Sequence, residues 1–440
     1  MKLTINPLVL PQSLTASVTI PGDKSISHRA LMIGSISNGI SEFTNLLESA
    51  DIEATKKLVQ ALGVTVHKEG RAILVHGQGL ARFSEPKYVL EMGNSGTTIR
   101  LGLGLVGPSK VFAVFSGDAS LNNRPMDRVI KPLSALGLSY VARANNSKPP
   151  VVCLPPTRLT SASVTGTVPS AQVKSAFLLA AVQIPGSSSY YEPTPTRNHT
   201  ELMLLAAGAN LETTDGLIKL SGGKDLGPIS MQIPGDPSSA AFWTVAALLR
   251  PNTQLTIRNV GVNPRRIGYL SVLRRMGGKI TLRNHRIWGG EEVADLEVVS
   301  SKLHGCEISP AEIPDLIDEI PILAVAAAVA AGRTRITGAG ELRVKESDRI
   351  KSIVTEFAKL GINVTELSDG LEIIGSSYIR GGNVTSHHDH RIAMALAILA
   401  LVADSPVTVH GAEAIAISYP EFEATFTTLF GSAALQKILD

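Results

Sequence analysis

Six times along the chain an amphipathic stretch closes on an apolar residue and a glycine, and a short run of strand-forming residues follows. The pairs are Leu62-Gly63, Leu136-Gly137, Ala207-Gly208, Met276-Gly277, Leu360-Gly361 and, more weakly, Phe430-Gly431, with the glycines 74, 71, 69, 84 and 70 residues apart. Glycine suits a helix end where the chain turns left-handed. Runs such as Val64-Thr65-Val66 and Ile362-Asn363-Val364-Thr365 then supply β-branched strand formers. Each repeat therefore reads as helix, glycine stop, strand, and six repeats of about seventy residues account for the whole length.

A second kind of helix interleaves with the first. Ser27–Ser35, Ser95–Val106, Ser170–Val182, Pro237–Leu249, Asp318–Ala331 and Asp389–Val402 are rich in Ala and Leu, apolar on nearly every face, and polar mainly at their starts. A helix that is hydrophobic all round is buried, so each repeat should pack one such helix inside and one amphipathic helix against a sheet. The pattern predicts an α/β protein with three repeats in each of two domains. The Gly- and Pro-punctuated stretch around Pro234-Gly235 is the natural crossing point.

Composition narrows the function. The 440 residues are 44% hydrophobic and 18% charged, which argues against disorder and for two or three domains. Lys and Arg total 41 against 38 Asp and Glu, a formal charge of +3 with no block of consecutive cations, so a nucleic-acid partner is set aside. Cys153 and Cys306 are the only cysteines, without the spacing of a disulfide framework or a zinc site, and a reducing cytoplasm fits them. Pro7 and Pro11 interrupt the N-terminus before an export signal can form. The longest apolar runs, 322–331 and 392–403, fall short of the ~20 residues that span a bilayer, so no membrane association is expected. His28, His199, His387, His388 and His390 do not make a spaced ligand set, and neither metal nor cofactor is expected. Gly102-Leu103-Gly104 sits inside an apolar helix and reads as close helix packing rather than a dinucleotide loop.

The chemistry sits at the starts of the buried helices. The first opens Pro21-Gly22-Asp23-Lys24-Ser25-Ile26-Ser27-His28-Arg29, the second Gly93-Asn94-Ser95-Gly96-Thr97-Thr98 with Arg100, the third Ser170-Ala171-Gln172-Val173-Lys174, and the last His387-His388-Asp389-His390-Arg391. Free N–H groups and the positive end of the dipole make each start a potential anion site, which Lys or Arg strengthens. One such start is ordinary capping; six in register point to a strongly anionic ligand. Further cations fall at Asn123-Arg124-Pro125-Met126-Asp127-Arg128, Thr196-Arg197-Asn198-His199 and Arg343-Val344-Lys345-Glu346-Ser347-Asp348-Arg349. The last string is either a solvated helix start or, through Lys345 and Glu346, an acid/base pair. Asp315, Asp318 and Glu319 enter a wholly apolar helix; capping accounts for one carboxylate, and a second needs a partner or a task.

Taken together, Pro21 to Arg29, Asn94 to Arg100, Arg124-Pro125, Ser170-Ala171-Gln172, Arg343 to Arg349 and Asp389-His390-Arg391 resemble one family over essentially the whole chain, 3-phosphoshikimate 1-carboxyvinyltransferase or EPSP synthase. The resemblance implies an inside-out α/β barrel of the enolpyruvyl transferase kind, with three βαβαββ units in residues 21–234 and three more in 1–20 with 235–440, and ligands bound where the two domains close. It implies transfer of the enolpyruvyl group of phosphoenolpyruvate to the 5-hydroxyl of shikimate 3-phosphate, by addition and elimination, in a cytoplasmic monomer. Shikimate 3-phosphate would be held by Lys24, Ser25, Arg29, Ser170, Ala171, Gln172 and Arg197, with Asp318 and Lys345, mainly on the 21–234 side. Phosphoenolpyruvate would be held by Lys24, Gly96, Arg124, Gln172, Arg349 and Arg391, mainly on the other side. Asp318 resembles the base for the hydroxyl and Glu346 the group serving the methylene carbon, with Lys24 and Lys345 assisting; which residue moves which proton stays open.

Some positions depart from the enterobacterial and plant pattern. Ile417 and Ser418, not Lys, precede Tyr419-Pro420, and Glu341 stands where those members have Asn. These differences and Gly117-Asp118-Ala119-Ser120-Leu121 resemble the family's second class, some members of which tolerate glyphosate. Tolerance there goes with Ala in the small-residue loop, and Gly96 here implies sensitivity. The alternative within the fold is the UDP-N-acetylglucosamine enolpyruvyl transferase, which usually has Cys five residues before the Arg of its Arg-Pro pair, where this chain has Ala119. A non-catalytic phosphate-binding protein is the alternative from another class, and it would have no use for Asp318 and Glu346 beside lysines.

Overall fold

The computed structural model describes residues 1–7 and 13–438, so Pro11 lies outside the described residues. The chain divides into two compact units, one of Gly22–Pro234 with Ile287–Glu291 and one of Met1–Pro21, Gly235–Arg286 and Glu292–Asp440. We refer to them as the 22–234 unit and the 235–440 unit. Each has its own hydrophobic core.

The repeat read from the sequence is the repeat of the fold. All six glycines of the apolar-glycine pairs have positive φ, between +78° and +98°, a region in which a side chain is strained. A helix ends just before each, and a strand begins two to four residues after: Thr65–Glu69, Ser139–Ala142, Asn210–Thr214, Lys279–Trp288, Asn363–Leu367 and Leu435–Ile438. Each repeat runs strand, buried helix, strand, amphipathic helix, strand, strand.

Six four-stranded sheets result, all with one plan: an edge strand parallel to its neighbour, then two antiparallel pairings. Three repeats in mid-order supply all four strands themselves, as in Ser163–Thr165, Gly186–Tyr191, Leu217–Gly222 and Asn210–Thr214. The first and fourth exchange their leading strands. Leu14–Thr19 pairs with Thr253–Gly261, whereas Ser230–Gln232 pairs with Asn38–Thr44. In the sixth, Lys2–Ile5 stands between Val407–His410 and Leu435–Ile438 and takes the place of a closing strand.

The buried helices are Lys24–Ile36, Gly96–Val106, Ala171–Ala181, Pro237–Leu249, Ile320–Val329 and His390–Ala400. Every residue from Ile26 to Ile36 is buried in the first. Gly104 allows the second and third to touch, because a Cβ there would lie 2.0 Å from the carbonyl oxygen of Ala176. The fifth differs from its sequence reading. Asp318 and Glu319 stand in a short 3-10 turn, Ile317–Glu319, and the α-helix begins at Ile320, with Pro321 in the first turn where its missing N–H costs nothing. Tyr419 is core: its hydroxyl accepts from Trp243 Nε1 at 3.0 Å, and the Trp243 ring stacks on Phe422 with centroids 4.9 Å apart.

Candidate active site

In the 22–234 unit the starts of three buried helices gather cations and small polar groups. The first is capped by Asp23, whose carboxylate accepts from Ile26 N at 2.8 Å, leaving Lys24 and Ser25 in the first turn. Lys24 Nζ lies 2.5 Å from Asp51, at the start of the helix Ala50–Ala61. One turn on, Arg29 is buried with three neutral partners: Nε donates to Thr200 Oγ1 at 2.7 Å, Nη1 to the Ser25 carbonyl at 2.8 Å and Nη2 to Ser175 Oγ at 2.7 Å. Burial first of all pulls its guanidinium down to about 10, against the opposing attraction of Glu201, and it remains a cation at neutral pH.

The second helix start, capped by Ser95, presents Gly96 to two guanidinium groups. A Cβ at Gly96 would lie 3.1 Å from Arg124 Nη1 and 3.2 Å from Arg100 Nη1. Arg100 Nη1 donates to Gln172 Oε1 at 2.5 Å, and Gln172 Nε2 donates to Thr97 Oγ1 at 2.9 Å, tying the third helix to the second. Ser170 stands at the cap position of the third helix without a side-chain capping bond.

The 235–440 unit brings together carboxylates and cations in nearly equal number. Arg349, 1% exposed, opens the helix Arg349–Lys359 and is held by three carboxylates. Nε donates to Asp389 Oδ2 at 2.8 Å, Nη2 to Glu346 Oε2 at 2.7 Å and to Asp389 Oδ1 at 3.3 Å, and Nη1 to Asp318 Oδ1 at 3.4 Å. Lys345 Nζ is 3.6 Å from the same Asp318 oxygen. Arg391 Nη1 donates to the Asp318 carbonyl at 3.0 Å and lies 3.6 Å from Glu319. Asp389 also caps its own helix through Arg391 N at 2.9 Å and accepts from Ser347 Oγ at 3.1 Å. Burial would raise the Asp389 carboxyl, but the Arg349 guanidinium outweighs it and holds it below the usual carboxylate range.

A profile of EPSP synthase (3-phosphoshikimate 1-carboxyvinyltransferase) matches residues 9–426. The chain belongs to the EPSP synthase family. Relatives named 3-phosphoshikimate 1-carboxyvinyltransferase include one from Carboxydothermus hydrogenoformans, 46% identical over 418 residues, with 95% of this chain and 97% of the relative covered. Another, from Synechocystis, is 47% identical over 430 residues and covers 96% of each. Among solved structures, EPSP synthase from Acinetobacter baumannii superposes with a TM-score of 0.88 at 38% identity, covering 99% of both chains. As a member of this family the chain is an enzyme that transfers the enolpyruvyl group of phosphoenolpyruvate to shikimate 3-phosphate.

Of the residues expected from the EPSP synthase resemblance, Gly96, Arg124 and Gln172 form one cluster with Arg100, a residue the motif contained but to which no role was given. Asp318, Lys345, Glu346, Arg349 and Arg391 form another, with Asp389 at its centre. Arg197 and Arg29 repel one another within the 22–234 unit. Lys174 corrects the sequence reading of the third helix start. It is 1% exposed and points away into an ion triad, 2.9 Å from Glu192 and 2.7 Å from Glu201, so it adds nothing to an anion site. The expectation that capping accounts for one carboxylate at the fifth helix is not met: its start has no side-chain cap, Asp318 pairs with Arg349 and Lys345, and Glu319 is buried against Ser238 Oγ, to which, and to Asp236 Oδ1, Arg266 Nη2 donates at 3.0 Å. Glu341 is exposed in the 3-10 helix Gly340–Val344. An open groove of about 570 Å³ in the 22–234 unit, lined by residues from Lys57 to Met92, includes none of the expected site residues.

Proposed function

We propose that Lys24, Ser25, Arg29, Ser170, Ala171, Gln172 and Arg197, with Asp318 and Lys345, hold shikimate 3-phosphate, and that Lys24, Gly96, Arg124, Gln172, Arg349 and Arg391 hold phosphoenolpyruvate. The observation that carries this reading is Arg29: a buried cation that is hydrogen-bonded only to neutral oxygens, and that Glu201 attracts without a hydrogen bond, suits a site for an anion. The two ligands bring two phosphates and two carboxylates, about six negative charges near neutral pH. Hydrogen bonds to charged groups contribute roughly 1.5 to 3 kcal/mol each, so several acting together suffice to order both substrates.

The acid/base work falls to the carboxylates of the 235–440 unit. Asp318 removes the proton of the 5-hydroxyl as that oxygen bonds to C2 of phosphoenolpyruvate, and Glu346 delivers a proton to the methylene carbon, making it a methyl group. In the second half Glu346 takes a proton back from that methyl as the bond from C2 to the phosphate oxygen breaks, and the departing phosphate takes up the proton that Asp318 had removed, with Lys24 and Lys345 assisting. Support comes from Lys345 at 3.6 Å from Asp318 and from Arg349, which touches both carboxylates and so fixes their relative position. A monomer acting in the cytoplasm belongs to the same reading, and the two free cysteines agree with that compartment. The test is Glu346→Gln: turnover should fall by about a hundredfold or more with both substrates still bound. Unchanged turnover with weakened binding would remove Glu346 from the chemistry.

A further inference from the structure

We infer that Glu356 is a positioning residue for phosphoenolpyruvate, acting through a strained loop that it clamps; the inference rests on the assignment of Arg349 and Arg391 to that substrate. His387 and His388 are consecutive non-glycine residues with φ of +53° and +57°, immediately before Asp389. A single residue of this kind is uncommon, and two in sequence persist only where surrounding contacts over-determine them. Here Glu356 and Ser386 share the contacts. Glu356 is 0% exposed; its Oε2 accepts from Thr385 N at 2.9 Å, its Oε1 pairs with His387 Nε2 at 2.7 Å, and Lys359 Nζ meets both oxygens at 2.8 and 2.9 Å. The Ser386 hydroxyl accepts from His388 N at 3.1 Å and donates to the Gly411 carbonyl at 2.8 Å, its N donates to the His410 carbonyl at 2.9 Å, and its carbonyl accepts from Asp389 N at 3.0 Å.

The loop delivers what the proposed site needs. Directly after it, Asp389 receives Arg349 Nε at 2.8 Å and caps the helix that starts with Arg391, whose Nη1 reaches the Asp318 carbonyl at 3.0 Å. Glu356 lies seven residues after Arg349 on the helix Arg349–Lys359, two turns along the same face. One rigid helix therefore grips the segment twice, at Asp389 through Arg349 and at Thr385 and His387 through Glu356. Without the second grip the left-handed pair relaxes, and Asp389 and Arg391 move with it. Glu356 itself touches none of the proposed substrate-binding residues.

Steady-state kinetics on the full-length enzyme test this. Glu356→Ala should raise KM for phosphoenolpyruvate by about tenfold or more, while KM for shikimate 3-phosphate stays within about twofold. Glu356→Gln can still accept from Thr385 N and meet His387, and should restore KM for phosphoenolpyruvate to within about threefold of the parent. Equal changes in both KM values, or no difference between Ala and Gln, would overturn the positioning role. If Glu356→Ala folds poorly, His387→Asn carries the test: Asn tolerates the left-handed backbone but is too short to reach Glu356, and a rise of about threefold or more is expected. No rise there would also overturn it. Arg391→Ala, assayed alongside, separates the claims. If it raises KM for phosphoenolpyruvate and Glu356→Ala does not, the positioning role is wrong and the substrate assignment stands; if neither does, both fall.

Discussion

Asp389 makes the 235–440 unit sensitive to a single change. Its side chain is fully buried, takes two hydrogen bonds from Arg349 at 2.8 and 3.3 Å, and caps its own helix at 2.9 Å. Asp389→Asn keeps an oxygen for the cap and removes the charge. Breaking one partner of a buried ion pair costs about 3 to 5 kcal/mol; Arg349 retains Glu346 and Asp318, so the lower end, about 3 kcal/mol, is expected. Asp389→Ala loses the cap as well, adding about 1 kcal/mol. Urea unfolding followed by tryptophan fluorescence can read this unit by itself. Trp243 lies in its core, and Trp288, in the segment grouped with the 22–234 unit, can be replaced by Phe in the background.

The same pair sets a pH dependence. Because the folded carboxyl of Asp389 is held below its unfolded value of about 3.9, its contribution is complete above that pH and is lost as pH falls toward the folded value. The stability gap between parent and Asp389→Asn should therefore be level from about pH 5 to 7 and narrow below about pH 4. A gap under about 1 kcal/mol at pH 7, or one that widens in acid, would refute the reasoning.

Three other outcomes follow from particular distances. Gly104→Ala drives a methyl to within 2.0 Å of the Ala176 carbonyl, a backbone atom that cannot step aside, so a loss of about 3 kcal/mol or more is expected in urea unfolding of the purified protein followed by circular dichroism. A loss below about 1 kcal/mol would mean the two helices do not meet there. Gly96→Ala meets only the ends of Arg124 and Arg100, at 3.1 and 3.2 Å, and should fold normally while weakening glyphosate inhibition more than phosphoenolpyruvate binding. The parent should be glyphosate-sensitive; full activity at millimolar glyphosate with unchanged phosphoenolpyruvate affinity would contradict this. Burial pushes the Cys153 thiol up to about 12, so at pH 8 a disulfide reagent should leave it unmodified in the native protein and titrate it after unfolding in urea. Rapid native modification of Cys153, read by mass spectrometry, would count against its place in the core.

The repeat was legible because its punctuation is local: a left-handed helix end wants glycine, and six of them recur near the same spacing. The buried helices were legible for a similar reason, being apolar on all faces. What the sequence concealed is non-local. The exchange of Leu14–Thr19 and Ser230–Gln232 between sheets involves short strands that look alike to any local pattern. Lys174 sits where a helix-start cation should face a ligand, and only the fold shows Glu192 and Glu201 waiting on the other side. Asp389 was visible as part of a motif, but its grip on Arg349, 40 residues away, was not. Glu356 gave no signal at all: a glutamate on an amphipathic helix is ordinary, and what sets it apart is the strained backbone it holds.

The central claim is that these residues serve enolpyruvyl transfer to shikimate 3-phosphate. The direct measurement is phosphate release by the purified protein given phosphoenolpyruvate with shikimate 3-phosphate, run beside the same assay with UDP-N-acetylglucosamine. Release with shikimate 3-phosphate alone is the expected result. Release with the sugar nucleotide alone, or with neither while phosphoenolpyruvate still binds, would contradict it.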